Sequence, residues 1–477
     1  MVCENRIEKI APEKQIWTWL EQQGIHEEET ETIDLQGAWI YPGFHDSHMH
    51  LLLYGQALAS ANLGGCPSMQ ELQQRLHDHL QAHPQTKVLH GMGWNQEELL
   101  EKRMPERCDL DAVSREIPIV TERCCTHILT ANSAAMKAAG IYKEDGIFLE
   151  EECTPLTSLL AADEESQIEQ AVSACVQKGL TCVQSADLKA YNYQRLLPIF
   201  EKASKILRIH HQVQITDPAI MHAFTEEFAR HENTRHTFSA FKGFADGALG
   251  GRTAFLKEAY ADDPGSRGIV SMSEQEMDGF VKAAKAMKRQ VLFHAIGDGA
   301  IEQVLNVYEK YQDADNTGRY GILHVQITDD SLLERFEKQK ILALVQPVFW
   351  KSDASIAESR VGKARAKTSY AFGRLSRASL ASLSTDCPIE DCDPIENMHW
   401  ALQIPDALTL EEAIAGYSEA SAYAAGKEKE LGRLEEGFLA DLVVLDGEIH
   451  EKSHPDVVMT MVDGQVVYQK DALGKTL

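Results

Sequence analysis

The sequence predicts an α/β fold: a (β/α)8 TIM-like barrel with a small composite β domain contributed by the N- and C-terminal ends. Three observations predict it. Short β-rich runs alternate with amphipathic helical patterns over most of the chain, the two ends carry β runs of another kind, and polar ligand-type residues recur where the β-rich runs stop. A length of 477 residues exceeds one ordinary domain and suits an α/β barrel with attached pieces.

Taken in order, "ETIDLQGAWIYPGF" is strand-like, and residues 1–40 are assigned with residues 430–477 to the composite β domain. The latter hold "ADLVVLDGEIHEKSHPDVVMTMVDGQVVYQK", with a hairpin signal at Val462-Asp463-Gly464-Gln465 between apolar strands. Residues 41–429 form the barrel, with an insertion expected around 80–215. Its strand candidates are "AWIYPGFHDSHMH", "KVLHGMGW", "IPIVTERC", "LTCVQSAD", "LRIHHQVQI", "FKGFADG", "QVLFHAIGDG", "YGILHVQIT", "ILALVQPVF" and "ASLASLSTDCP". These exceed the eight places of a barrel, so at least two lie outside it, and strands two to four are not individually assigned. Between them run helices such as "SEQEMDGFVKAAKAMKR", where Met277, Phe280, Val281, Ala284 and Met287 recur at helical spacing, and "DGAIEQVLNVYEKYQ", which Asp298 is expected to cap.

Composition excludes several classes. Hydrophobic content of 44% and charged content of 25% are those of a globular chain. A net charge of −27 repels phosphate backbones and anionic lipid, so nucleic acid and membrane are not expected partners. The ten cysteines are scattered with no CxxC pair, and the N-terminus lacks a basic start and apolar stretch. Reduced thiols in a cytoplasmic protein are the expected reading. A small-molecule substrate is the expected partner, and assembly into a homo-oligomer is left open.

The chemistry-bearing stretch is "YPGFHDSHMHLLLYG". On an extended strand, side chains two apart share a side, so Asp46, His48 and His50 are expected on one face with His45 on the other. Two converging imidazoles are half of a metal site, although an isolated H-x-H also suits hydrogen-bonded or surface histidines. Three further residues end strand candidates: His294 in "QVLFHAIGDG", His324 in "YGILHVQIT" and Asp386 in "ASLSTDCP". Barrel enzymes place their active sites at that rim. Four histidines and one aspartate there can meet around one centre, and Asp386 beside a metal-activated water is placed to take its proton.

The strings "IDLQGAWIYPGFHDSHMHL", "RCCTHILTANSAAMKAAGI", "GIFLE", "FKGFADGALGGRTA", "LFHAIGDGAIEQVL", "ILHVQIT", "LVQPVF", "STDCPIEDCDPI" and "LGRLEEGFLADLVVLD", in that order, resemble the metal-dependent amidohydrolase superfamily. Within it they are similar to amidohydrolase family 3, the YtcJ-like branch. The resemblance runs from about residue 30 to the C-terminus and implies a metallohydrolase barrel. It implies that His48 and His50 hold one metal on the first strand, that His294 and His324 supply ligands on the fifth and sixth, and that Asp386 ends the eighth. Lys242 in "FKGFADG" matches a lysine that, in binuclear members, is carboxylated by carbon dioxide and bridges two metals; a plain charged lysine near the site is the alternative. The chain departs from the family pattern at its short N-terminus and at "RCCTHILTAN". His127 therefore either lines the pocket or packs, Glu150 fits the pattern with its register ambiguous beside Glu151 and Glu152, and Arg252 of "GGRT" either holds a substrate carboxylate at the rim or forms a surface ion pair.

The implied activity is metal-dependent hydrolysis of a carbon–nitrogen bond in a small molecule, in a non-peptide amide such as an N-acyl, N-formyl or cyclic amide. A bound metal lowers the pKa of water from about 15.7 toward 7, and Asp386 serves as general base. Zinc, one or two per chain, is the first choice, with iron, nickel and manganese suiting similar ligands. Alternatives are a mononuclear deaminase in which Lys242 is not a ligand, and a regulatory or binding protein that has lost turnover.

Overall fold

The computed structural model describes residues 1–123, 128–160, 164–378 and 380–470. The chain forms two compact units, Met1–Leu51 with Val172–Leu477, and Leu52–Ala171.

The larger unit contains eight parallel strands: β1 (Phe44–Met49), β2 (Leu180–Ser185), β3 (Arg208–Val213), β4 (His236–Phe244), β5 (Gln290–Ala295), β6 (Gly321–His324), β7 (Leu342–Val345) and β8 (Ala381–Leu383), hydrogen-bonded in that order. Every residue of β1, β2 and β3 is buried, as expected of a parallel sheet covered on its outer face. Backbone bonds from His50 N to Cys387 O (2.8 Å) and from Asp386 N to His48 O (2.9 Å) join the end of β1 to the segment after β8 and bring the sheet round into a barrel. Helices follow the strands, and their starts are chemically marked: Asp217, Ser273, Asp329 and Asp393 each accept backbone N–H bonds as N-caps. The helix Glu274–Ala286 buries Met277, Phe280, Val281 and Ala284. Asp298 is the first residue of its helix, with Gly297 as N-cap. Its carboxylate accepts from Lys257 N and Gly299 N, tying down the preceding loop.

"AWIYPGFHDSHMH" divides into two strands. Trp39–Pro42 leaves for a four-stranded antiparallel sheet with Leu442–Leu445, Val457–Val462 and Gln465–Gln469, and the chain enters the barrel through Gly43, where any Cβ would overlap the Thr181 side chain. The Val462–Gln465 hairpin turns through Asp463 (φ 55°) and Gly464 (φ 77°), the left-handed pair a two-residue turn requires. Arg208 at the start of β3, 1% exposed, bonds Asp441 through Nε and Nη2 (both 2.9 Å) and Asp463 at 3.1 Å, fastening this sheet to the barrel.

The smaller unit carries a five-stranded sheet in the order Ser60–Asn62, Leu89–Trp94, Ile119–Arg123, Ile128–Ala131, Ile147–Leu149, parallel over the first three strands and antiparallel after them. The separate unit thus spans Leu52–Ala171, beginning and ending earlier than the expected insertion around 80–215. The physical reason is burial. "LTCVQSAD" and "LRIHHQVQI" are covered on both faces and pair in parallel as β2 and β3, while "KVLHGMGW" and "IPIVTERC" are the two extra strands. "FKGFADG" lies on the fourth strand. No helix among the described residues is long and apolar enough to cross a membrane.

Candidate metal centre

The ends of β1, β4, β5, β6 and β8 bring together the side chains that the sequence singled out. His48, His324 and Asp386, all buried, place one ligand atom each within 4.8 Å of one another. His48 Nε2 lies 3.3 Å from Asp386 Oδ1, and His50 Nε2 lies 3.5 Å from the same oxygen. Lys242 on β4, 2% exposed, sets its Nζ 3.1 Å from His48 Nε2 and over the Phe244 ring. His294 packs edge-on against His324 with ring centroids 4.4 Å apart.

Two residues reach the centre through unusual backbone. His324 (φ 77°), with Val325 (φ 49°) after it, and Asp386 (φ 54°) are left-handed. Non-glycine residues adopt that region at a cost, and such positions concentrate at functional sites.

Hydrogen bonds fix which nitrogen of each ring faces inward. His48 Nδ1 donates to Gln212 Oε1 at 2.6 Å. The Gln212 amide cannot turn, because its Nε2 donates to Ser47 O (2.8 Å) and Gln184 Oε1 (3.0 Å). In the same way His324 Nδ1 donates to Gln346 Oε1 at 2.8 Å, and Gln346 Nε2 is held by Leu344 O and Ser384 Oγ. Both histidines therefore present a bare Nε2 lone pair. His294 Nε2 donates to the Gly247 carbonyl at 2.9 Å, leaving Nδ1 as its lone-pair nitrogen. Such partners around ligand histidines set tautomer and ring orientation.

The electrostatics agree. Burial, reinforced by Lys242, lowers His48 and His294 to about 4, and burial beside His294 holds His324 well below its ordinary value, so the three rings are neutral at pH 7. Burial acts to raise the Asp386 carboxyl, but its contacts with His48, His324 and His50 outweigh this and hold it well below the usual carboxylate range. Burial lowers the Lys242 ammonium to about 8 against the pull of Asp386. Neutral imidazoles and an ionised carboxylate thus converge on one point beside the Lys242 ammonium. This donor set fits a divalent cation.

Strict alternation along β1 fails. The β1–β2 ladder shifts register twice, and the Asp46 carboxylate turns to accept from His48 N (2.9 Å), Thr385 N (3.1 Å) and Thr385 Oγ1 (2.6 Å) instead of joining the cluster. Burial raises that carboxyl to about 8, with the Thr385 and His48 bonds opposing it. His45 stands apart from this cluster and meets Cys182 and His210. Among the remaining expected residues, Arg252 is bound by Asp262 (Nε–Oδ1 3.2 Å, Nη2–Oδ2 2.9 Å) in a partly exposed ion pair. Glu150 is exposed at the start of the turn Glu150–Cys153 in the smaller unit, and His127 lies outside the described residues. Sequence reasoning passed over Gln212 and Gln346; Gln346 is signalled by an amide buried straight after the apolar run Leu342–Val345, whereas Gln212 sits among the polar residues of Arg208–Val213.

A sequence profile of the amidohydrolase family matches residues 31–468. The chain belongs to the amidohydrolase family. Among curated relatives, YtcJ of Bacillus subtilis is 32% identical, the match covering 93% of this chain and 91% of that protein. The N-substituted formamide deformylase of Arthrobacter pascens is 24% identical over 95% of this chain and 93% of its own length. A solved metal-dependent hydrolase from Pyrococcus furiosus superposes with a TM-score of 0.78 at 28% identity, covering 94% of each chain. This amidohydrolase is accordingly a hydrolase of the metal-dependent superfamily, built on the barrel described above.

Proposed function

We propose that this amidohydrolase cleaves a carbon–nitrogen bond in a small non-peptide amide, of the N-formyl, N-acyl or cyclic class, with Asp386 as general base. The observation that carries the proposal is the Asp386 carboxylate, ionised and held against His48 and His50 at 3.3 and 3.5 Å on the barrel rim. A relative covering nearly the whole chain is named for deformylation of N-substituted formamides, which supports the choice of substrate class.

His48, His324 and Asp386, with His50, His294 and Lys242 completing the donors, would hold the cation. Zinc is the first choice for imidazole and carboxylate ligands. Bound there, it supplies acidified water and a polarised carbonyl. Asp386 takes the water proton as the carbonyl carbon is attacked and returns it to the leaving nitrogen, holding it only in transit. Gln212 and Gln346 keep the His48 and His324 lone pairs aimed inward throughout. With its pKa lowered to about 8, Lys242 is partly a free amine near neutral pH, able to add carbon dioxide and become an anionic carbamate ligand. The substrate is a small molecule, and the eight described cysteines, each a thiol outside any disulfide, fit a cytoplasmic setting.

The test is a panel of N-formyl, N-acyl and cyclic amides offered to zinc-loaded enzyme, with release of the free amine as the readout. Amine release on at least one class is expected. Ammonia release from amino-heterocycles with every amide untouched would instead point to a deaminase, and no turnover of either kind would overturn a hydrolytic role.

A further inference from the structure

A second group of ligand-type side chains lies away from the rim. His45 on β1, Cys182 on β2 and His210 on β3 place their donor atoms within 4.8 Å of one another, and their exposures are 3%, 1% and 0%. Strand register brings them together: Cys182 pairs with His45 on one side, and Gln184, two residues on, pairs with His210 on the other.

Each ring has one nitrogen engaged and one without a partner among the described residues. His45 Nε2 faces the Gln184 amide at 3.3 Å and His210 Nδ1 meets the Thr237 hydroxyl, while His45 Nδ1 and His210 Nε2 are buried and unbonded. A buried polar atom left unpaired costs roughly 1–3 kcal/mol, so two of them in rings grouped with one buried thiol call for an occupant.

We infer that His45, Cys182 and His210 form a second, closed cation site that takes a borderline-soft cation, Zn2+ or Cu+. Two imidazoles and a thiolate suit such cations and disfavour Mg2+ or Ca2+. Loading releases the Cys182 thiol proton to solvent as the sulfur–metal bond forms. It also puts the His45 ring proton on Nε2, which the Gln184 amide meets with its oxygen after a half-turn that gives up its bonds to Ser421 O (3.3 Å) and Gln212 Nε2 (3.0 Å). Because Gln184 accepts from Gln212 at 3.0 Å, and Gln212 accepts from His48, occupancy here is felt at the rim. All three side chains are 3% exposed or less, so the site is structural and out of reach of substrate.

The test uses full-length enzyme stripped by a chelator and titrated with Co2+, whose bond to thiolate gives a near-ultraviolet charge-transfer band. Wild type is expected to show the band, to lose it on adding Zn2+, and to hold one more metal ion per chain than Cys182→Ser, which lacks the band. His210→Gln serves as the second variant should Cys182→Ser fold poorly. His48→Ala and Cys392→Ser should both keep the band, which separates this site from the rim and from the other buried thiols. Absence of the band in wild type, or its survival in Cys182→Ser, would overturn the inference and leave a buried water as the occupant.

Discussion

Replacing Gln212 by Leu tests whether the fixed tautomer of His48 governs metal binding. Leucine matches glutamine closely in volume, so the buried space stays filled while the acceptor for His48 Nδ1, now 2.6 Å away, disappears. The ring then carries an unpaired buried N–H or shifts its proton to Nε2, the nitrogen that faces Lys242 and Asp386. Loss of such a partner typically weakens metal affinity about 10- to 100-fold. At about 1.4 kcal/mol per tenfold, that is roughly 1.4–2.8 kcal/mol. Ser47 O and Gln184 Oε1 lose a donor as well, so a separate fall in stability is expected, on the order of 1–3 kcal/mol for each group left unpaired. Gln212→Glu keeps an acceptor at the same place and separates the two effects, because it should retain metal affinity. The assay is competition against a chromophoric chelator at equilibrium, on variants whose circular dichroism matches wild type. An unchanged dissociation constant in Gln212→Leu would refute the argument, as would equal weakening in Gln212→Glu.

Other consequences follow from the same geometry. Asp386→Asn should keep bound metal but lose turnover by about 10²- to 10⁴-fold, because an amide cannot accept the water proton; a near-normal kcat would assign the base elsewhere. Lys242→Ala should lose metal measured by elemental analysis, and short carboxylic acids should partly restore activity by standing in for a carbamate. An unmodified amine on native intact mass in fully active, metal-loaded enzyme would defeat the carbamate. Arg208→Met strands the Asp441 carboxylate at the base of β3, while Asp463 keeps Arg235 at 2.8 Å; the larger unit should be destabilised by about 3–5 kcal/mol, read as a lowered urea midpoint.

Much of this was legible because a parallel barrel converts sequence position into spatial position. A residue that ends a barrel strand sits on the rim, whatever lies between it and the next strand. His48, His294, His324 and Asp386 needed only the strand–helix alternation to be brought together, and Lys242 needed the fourth strand, which "FKGFADG" supplies. What the sequence hid depends on local departures from regularity. The strand Ser60–Asn62 has three residues and one apolar side chain, too short to announce that the smaller unit begins right after β1. The register shifts between β1 and β2 go with the turning-away of Asp46, which two-residue alternation had set beside His48 and His50. Gln212 and Gln346 carry neither charge nor nucleophile, so nothing in their chemistry marks them until the histidine each one faces is known.

Those hidden features are also what make the centre specific. Left-handed backbone at His324 and Asp386 is worth on the order of 1–3 kcal/mol of strain apiece, and it persists only where surrounding bonds over-determine it. Here they do: Asp386 N bonds His48 O at 2.9 Å, and His324 is held through Gln346, itself bound to β7 and to Ser384 beyond β8. The fold therefore holds neutral imidazoles and an ionised carboxylate in mutual contact before any cation arrives. A cation entering the cluster finds its ligands already placed, so the strain built into the rim becomes metal affinity, and the residues that hold it in place belong to the site as much as the ligands do.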